Sequence, residues 1–259
     1  MSEAFGVLNT IPVGPLGIIA LPGCEELAQK IDGYISKWRE ERDSEHKSTI
    51  AFYGYQRESY IIKTAFNRFG SGEGKCVIQE TVRGYDIYII VDCFNHGIKY
   101  KMYGQEVPYS PDDHFANLKR AIAAVEGKAR RINVIMPMLY EGRQHRRSAR
   151  ESLDCAMALQ ELVSLGVKNI LTFDAHDPRI CNAIPLGGFD NVQPTYQMIK
   201  SLLRTVPDLK IDKDHLMIVS PDEGAMSRCM YYSSVLGVDL GMFYKRRNYA
   251  VIENGRNPI

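Results

Sequence analysis

Asn169-Ile170-Leu171-Thr172-Phe173-Asp174-Ala175-His176-Asp177 decides the fold class. A short β-prone run without strict polar alternation, the mark of a strand buried on both faces, ends abruptly in a polar tetrapeptide. Working outward, Ile87-Tyr88-Ile89-Ile90-Val91, Ile132-Asn133-Val134-Ile135-Met136 and Leu216-Met217-Ile218-Val219 repeat the pattern. Between them, His114 to Glu126 and Glu151 to Leu165 read as helices. The second carries Leu153, Ala156, Met157, Leu159, Leu162 and Val163 on one broad apolar face and stops at Gly166, a natural helix C-cap. Strands and helices in alternation predict an α/β fold with a mostly parallel sheet covered by helices.

That topology places the chemistry. Ligands of open α/β sheets gather at the carboxyl ends of the strands, where helix N-termini also offer donors to anions. Asp174 and His176 directly follow one predicted strand and Asp222 follows another, so all three are expected at one sheet edge.

Composition bounds the reading. With 259 residues the chain forms one large domain or two ordinary ones, and Pro185 to Pro194, with Gly187 and Gly188, is the candidate linker. The expected division is 1–192 and 193–259. A net charge of +1 argues against a global nucleic-acid-binding surface, so basic clusters are judged locally. The six cysteines are scattered with no C-x-x-C pair, which suits reduced thiols. Without a signal-like N-terminus or a membrane-length apolar run, the expectation is a soluble, cytoplasmic protein. Ser36 to Lys63, charged and then aromatic at Phe52-Tyr53-Gly54-Tyr55, reads as a solvated helix end plus a surface insertion.

Each candidate has a plain alternative. His176 could be a core histidine, but Asp174 and Asp177 beside it at a strand end favour a metal or phosphate role as strongly. Asp222 suits a helix cap, and a cap can also be a metal ligand. Arg143, Arg146 and Arg147 could form a solvated face; Gln144 among them, with Tyr140 and Gly142 just before, suits a loop that recognises a planar base and an anion. Lys245-Arg246-Arg247 after Met242-Phe243-Tyr244 is a weak motif taken alone. Phe69-Gly70-Ser71-Gly72-Glu73-Gly74 lacks Walker spacing, and a turn is its simplest reading.

Taken in order from about Leu16 to the last residue, these motifs resemble the ribose-phosphate pyrophosphokinase (phosphoribosyl pyrophosphate synthetase) family. Arg68-Phe69-Gly70-Ser71-Gly72-Glu73 and Val82-Arg83-Gly84-Tyr85-Asp86 are similar to R-F-x-D-G-E and I-R-G-x-D. Tyr140 to Arg147 resembles Y-x-R-Q-D-R-K, Phe173 to Pro178 resembles D-L-H-A-x, Val219 to Gly224 resembles V-S-P-D-x-G, and Tyr244 to Arg247 resembles D-K-R-R. The resemblance implies two phosphoribosyltransferase-type domains and transfer of the pyrophosphoryl group of Mg-ATP to the anomeric hydroxyl of ribose 5-phosphate. It further implies that Ser71, Gly72 and Glu73 contact adenine from a neighbouring subunit of a homo-oligomer, while Arg143, Gln144 and His176 bind ATP. By the same resemblance His176, Asp222 and Asp174 hold Mg²⁺, Lys245 is the catalytic cation and Arg247 binds the sugar phosphate.

Departures accompany the match. Ser71 stands where the family has aspartate, His145 replaces the aspartate of R-Q-D, and Glu223 sits where histidine or valine is common. The family's D-T-x-G-T sugar-phosphate loop does not follow the basic strand before Ile259. The expectation is therefore an incomplete second domain and little synthetase activity for the chain as given. The alternatives are a noncatalytic regulatory homologue that assembles with an active synthetase, and a metal-dependent hydrolase built on His145, Asp174, His176 and Asp222.

Overall fold

A computed structural model describes residues 12–44, 56–244 and 250. The chain divides into two compact units, Met1–Gln193 and Pro194–Ile259.

In chain order the first unit contains β1 (Leu16–Ala20), α1 (Glu25–Ser44), β2 (Thr64–Arg68), β3 (Gly74–Ile78), β4 (Asp86–Ile90), β5 (Lys99–Met102), β6 (Gln105–Pro108), α2 (Pro111–Val125), β7 (Arg131–Ile135), α3 (Asp154–Ser164), β8 (Asn169–Phe173) and β9 (Gly188–Val192). Five of the strands form one sheet in the order β1-β4-β7-β8-β9, parallel at every pairing. The predicted α/β architecture is the observed one.

The continuous apolar strands follow from cover on both faces. Ile87, Ile89, Val91, Val134 and Ile170 join a cluster with Leu118 and Ile122 of α2 and Leu159 and Leu162 of α3. Ile18 and Ile90 face the other way, toward Cys24, Ala28 of α1 and Tyr60. Each fully buried aliphatic side chain of this kind contributes about 1.5–3 kcal/mol.

Helix boundaries follow local chemistry more than the apolar stripe. Helix α2 starts at Pro111, three residues before the predicted start at His114, because Ser110 and Asp113 form a capping box. The Ser110 Oγ accepts from the Asp113 amide at 3.1 Å, and the Asp113 carboxylate accepts from the Ser110 amide at 3.0 Å. Helix α3 starts at Asp154, not Glu151, since Glu151 turns back to accept from the Ser148 amide at 2.7 Å. It ends at the predicted glycine: with φ +97°, Gly166 donates to Val163 and Val167 donates to Leu162, a Schellman closure.

Two expectations are corrected. Much of the proposed linker is β9, the edge strand of the sheet, which pairs with β8 from Gly188 to Val192. Its polar, alternately covered residues disguise it, because an edge strand has one neighbour and less core to face. The region Ser36 to Lys63 is also more than helix end and insertion. Residues 36–44 do continue the exposed end of α1, but Tyr60 and Ile62 are core, since the Ile18 amide donates to Tyr60 and the Ile62 amide to Ile18, both at 2.8 Å. Phe52, Tyr53 and Tyr55 lie outside the described residues.

The second unit contains α4 (Thr195–Thr205), β10 (Met217–Ser220), α5 (Met226–Leu236) and β11 (Asp239–Met242). β10 and β11 pair in parallel, with α5 as the intervening crossover. Among the described residues, no helix is long and apolar enough to cross a membrane. All six cysteines are unpaired.

Candidate functional site

Because β7 and β8 are parallel neighbours, the loops that follow them leave at the same sheet edge. The loop after β7 is braced from within. The Tyr140 ring stacks on Phe115 of α2 with centroids 4.4 Å apart, and its hydroxyl donates to Asp112 at 2.6 Å. Burial, reinforced by that hydrogen bond, pushes the Tyr140 phenol above its ordinary range. Glu141 adopts φ +54°, and burial, followed by Asp154, raises its carboxyl. The Gln144 amide donates to the Glu141 carbonyl at 2.8 Å, and its side chain donates to the Ser152 carbonyl at 2.7 Å, closing the loop on itself. Arg143 projects as an exposed cation and forms no ion pair among the described residues.

The loop after β8 is held by β9. Asp174 takes φ +48°, a left-handed conformation that aspartate tolerates, and its amide donates to the Val192 carbonyl at 3.1 Å. The Ala175 amide donates to the Asn191 side chain at 2.9 Å. Asp177 then caps a 3-10 turn, Pro178–Ala183, accepting from the Arg179 amide at 3.0 Å. The Arg179 guanidinium adds contacts of 2.9 Å through Nε and 2.6 Å through Nη2. Those side-chain bonds first, then the backbone bond, hold the Asp177 carboxyl well below the usual carboxylate range.

The two loops meet through imidazole rings. His145 and His176 pack edge-on with centroids 5.1 Å apart, and His145 Nε2 lies 3.5 Å from the Asp177 carboxylate. Of the residues singled out in the sequence, His145 and His176 are thus brought together, with Gln144 and Arg143 on the adjoining loop and Asp174 two residues before His176.

The hard oxygen donors at this edge are the carboxylates of Asp174 and Asp177, and the second is already engaged by Arg179. Among the described residues, no three His, Cys, Asp or Glu side chains gather into a metal cage. Mg²⁺ is ordinarily held by one or two carboxylates plus substrate phosphates and water, so Asp174 at this sheet edge fits it, with the His176 imidazole beside it as an additional nitrogen donor. A cation bound by protein side chains alone would not fit them.

The other sequence-predicted residues lie elsewhere. Ser71, Gly72 and Glu73 form the tip of the β2–β3 hairpin, where Phe69 and Glu73 close the turn and Gly72 takes φ +92°. The Ser71 hydroxyl donates to Glu73 at 2.8 Å. Arg68 anchors this hairpin: its guanidinium donates to the Gly72 carbonyl at 2.8 Å, pairs with Asp113 of α2 at 3.1 Å and stacks over Tyr100 and Tyr109. Asp222, in the second unit, caps a 3-10 turn by accepting from the Ala225 amide at 3.2 Å, so the cap reading describes its observed contact. Lys245 and Arg247 lie outside the described residues.

Sequence reasoning missed Arg179 as the organiser of the His176 loop and Arg68 as the anchor of the hairpin, and it read Asp177 only as a neighbour supporting His176. The Asp177-Pro178 step carried a signal, because aspartate before proline is a strong helix-start pattern.

Residues 16–166 match the family model for the N-terminal domain of ribose phosphate pyrophosphokinase. The chain belongs to this family. It is 30% identical over 200 residues to the ribose-phosphate pyrophosphokinase of Ralstonia nicotianae, an alignment that covers 76% of this chain and 57% of the relative. The Corynebacterium ammoniagenes ribose-phosphate pyrophosphokinase is 27% identical over 187 residues, 71% of this chain and 52% of the relative. The chain therefore spans about half the length of the curated relatives it matches. The fold also matches the crystal structure of phosphoribosylpyrophosphate synthetase from Mycobacterium smegmatis, with a TM-score of 0.67 and 20% identity over 90% of this chain and 65% of that one.

Proposed function

We propose that this chain carries the nucleotide side of a ribose-phosphate pyrophosphokinase, which transfers the pyrophosphoryl group of Mg-ATP to the anomeric hydroxyl of ribose 5-phosphate. The observation that carries the reading is the convergence of the Tyr140–Arg147 and Asp174–Asp177 loops at one edge of the parallel sheet, with the His145 and His176 rings in contact.

In this reading Arg143 takes a phosphate as a charge-assisted donor, and the braced loop around Gln144 receives the base. His176 and Asp174 would hold Mg²⁺, which would supply charge neutralisation on the polyphosphate. The sugar hydroxyl oxygen bonds to the β-phosphorus as the bond from that phosphorus to the α–β bridging oxygen breaks, AMP leaves with that oxygen, and the hydroxyl proton passes to solvent. Lys245 offers a fixed positive charge to the oxygens on which charge develops, and Arg247 binds the 5-phosphate. The exposed hairpin tip at Ser71, Gly72 and Glu73 reaches the nucleotide of a second copy, so the working species is a homo-oligomer.

The test is AMP formation from Mg-ATP with and without ribose 5-phosphate, by the chain extended through the family's D-T-x-G-T loop. Sugar-dependent AMP that disappears in Lys245→Ala supports the reading. Sugar-independent hydrolysis would replace it with a hydrolase. No turnover, with altered activity of an added synthetase subunit, would replace it with a regulatory role. A strictly monomeric species by light scattering would remove the shared-site component.

A further inference from the structure

At the junction of the two loops, this chain departs from the related motifs twice, and the departures touch. Where R-Q-D-R-K has aspartate the chain has His145, and where D-L-H-A-x has alanine it has Asp177. The acidic group has in effect crossed from one loop to the other. The structure puts the exchanged residues face to face, His145 Nε2 3.5 Å from Asp177 Oδ2, with each side chain only 13% exposed.

We propose that His145 and Asp177 are a coupled pair of positioning residues that fix the plane of the His176 ring. The chain of restraint begins at Arg179, whose amide and guanidinium hold the Asp177 carboxylate from three directions. A carboxylate fixed in this way, 3.5 Å from the ring nitrogen, electrostatically favours the His145 tautomer that carries its proton on Nε2. The edge of that ring then meets His176 at 5.1 Å and an interplanar angle of 63°. Among the described residues the exposed His176 ring makes no hydrogen bond, and its recorded ring contact is with His145.

Stability does not account for His145. Among the described residues its Nδ1 is buried without a hydrogen-bond partner, an arrangement that adds no stability. A residue that breaks a local rule in this way, at the meeting point of two functional loops, fits a positioning duty. The consequence for nucleotide binding rests on the function proposed above; the coupling between the rings does not.

The experiment uses the whole chain and four variants: His145→Ala, Asp177→Ala, their double, and the exchange double His145→Asp with Asp177→Ala. Long-range ¹H–¹⁵N NMR of the ligand-free protein reads the His176 ring, and calorimetry reads Mg-ATP affinity. Each single alanine variant is expected to change the His176 tautomer balance and to weaken Mg-ATP by about tenfold. The double alanine variant should be no weaker than the worse single, and the exchange double should recover most of the lost affinity. Asp177→Asn, which keeps an acceptor for Arg179, should preserve folding if Asp177→Ala does not. Unchanged His176 signals in both single variants, or losses that multiply independently, would overturn the pair. If the parent protein fails to bind Mg-ATP, the proposed function falls while the NMR comparison still decides the positioning claim.

Discussion

Replacing Asp86 with alanine tests whether the aspartate of the motif resembling I-R-G-x-D is a structural anchor. Asp86 opens β4 and is 8% exposed, and its carboxylate accepts from Arg131 Nε at 2.8 Å, from Arg131 Nη2 and from the Asn133 side chain at 2.9 Å. Breaking a buried pair from one side costs about 3–5 kcal/mol. Two features place this site near the lower end. The Arg131 side chain is 35% exposed and can regain water, and the buried Asn133 amide keeps the Ile87 carbonyl at 3.1 Å. The expected loss is about 3 kcal/mol, which for a protein of this size lowers Tm by roughly 6–12 °C. Urea titration followed by circular dichroism should show a lower midpoint with an unchanged slope. Asp86→Asn retains one acceptor and should lose less. Because β4 rises about 3.3 Å per residue, Asp86 lies roughly 13 Å from the carboxyl edge of the strand. Mg-ATP affinity measured well below the transition should therefore be unaffected. A loss under about 0.5 kcal/mol, the size of an ordinary surface change, would refute the anchor.

Three further outcomes are expected. Arg143→Ala should weaken Mg-ATP in calorimetry by roughly tenfold to a hundredfold, since a charge-assisted phosphate contact is worth about 1.5–3 kcal/mol; unchanged affinity would remove Arg143 from the site. Burial pushes the Cys24 thiol up to about 11 and those of Cys93 and Cys155 up to about 12, so a thiol-exchange reagent at pH 8 should modify the partly exposed Cys181 and Cys229 first, as peptide mapping would show. The Asp177 carboxyl is held below its unfolded value of about 3.9, so its contribution to stability is full above that value and fades as pH falls through the folded one. Acid titration of Asp177→Asn should accordingly show a shallower stability loss below about pH 4 than the parent, and identical profiles would contradict the Arg179 clamp.

The buried strands were legible because burial on both faces leaves a composition signature. Ile87–Val91 and Ile132–Met136 are mostly apolar because helices cover both sides of the sheet, the buried Asn133 being accommodated by its bonds to Asp86 and the Ile87 carbonyl. The loops that follow β7 and β8 were legible for a related reason: polar residues immediately past such a run have only the sheet edge to occupy. Helix starts were less legible. The apolar stripe of α2 begins at His114, whereas its true start lies in a Ser110–Asp113 exchange of hydrogen bonds that hydrophobic spacing does not register. The contact between His145 and Asp177 was hidden altogether, since 32 positions of chain and a helix separate them and only the register of β7 on β8 joins their loops.

The edge strand β9 shows why a sheet can hide its most consequential support. Residues 188–192 look like a linker because they are polar and flanked by glycine and proline, yet they are where the His176 loop is tied down. The Val192 carbonyl and the Asn191 side chain together hold the amides of Asp174 and Ala175. Those two bonds stabilise the left-handed turn at Asp174, and the turn sends the chain toward Asp177 and its clamp on Arg179. A hydrophobic β9 would bind the sheet as well but could not supply the Asn191 acceptor. The polarity that disguises the strand is thus the property that lets an edge of the sheet fix the loop carrying His176.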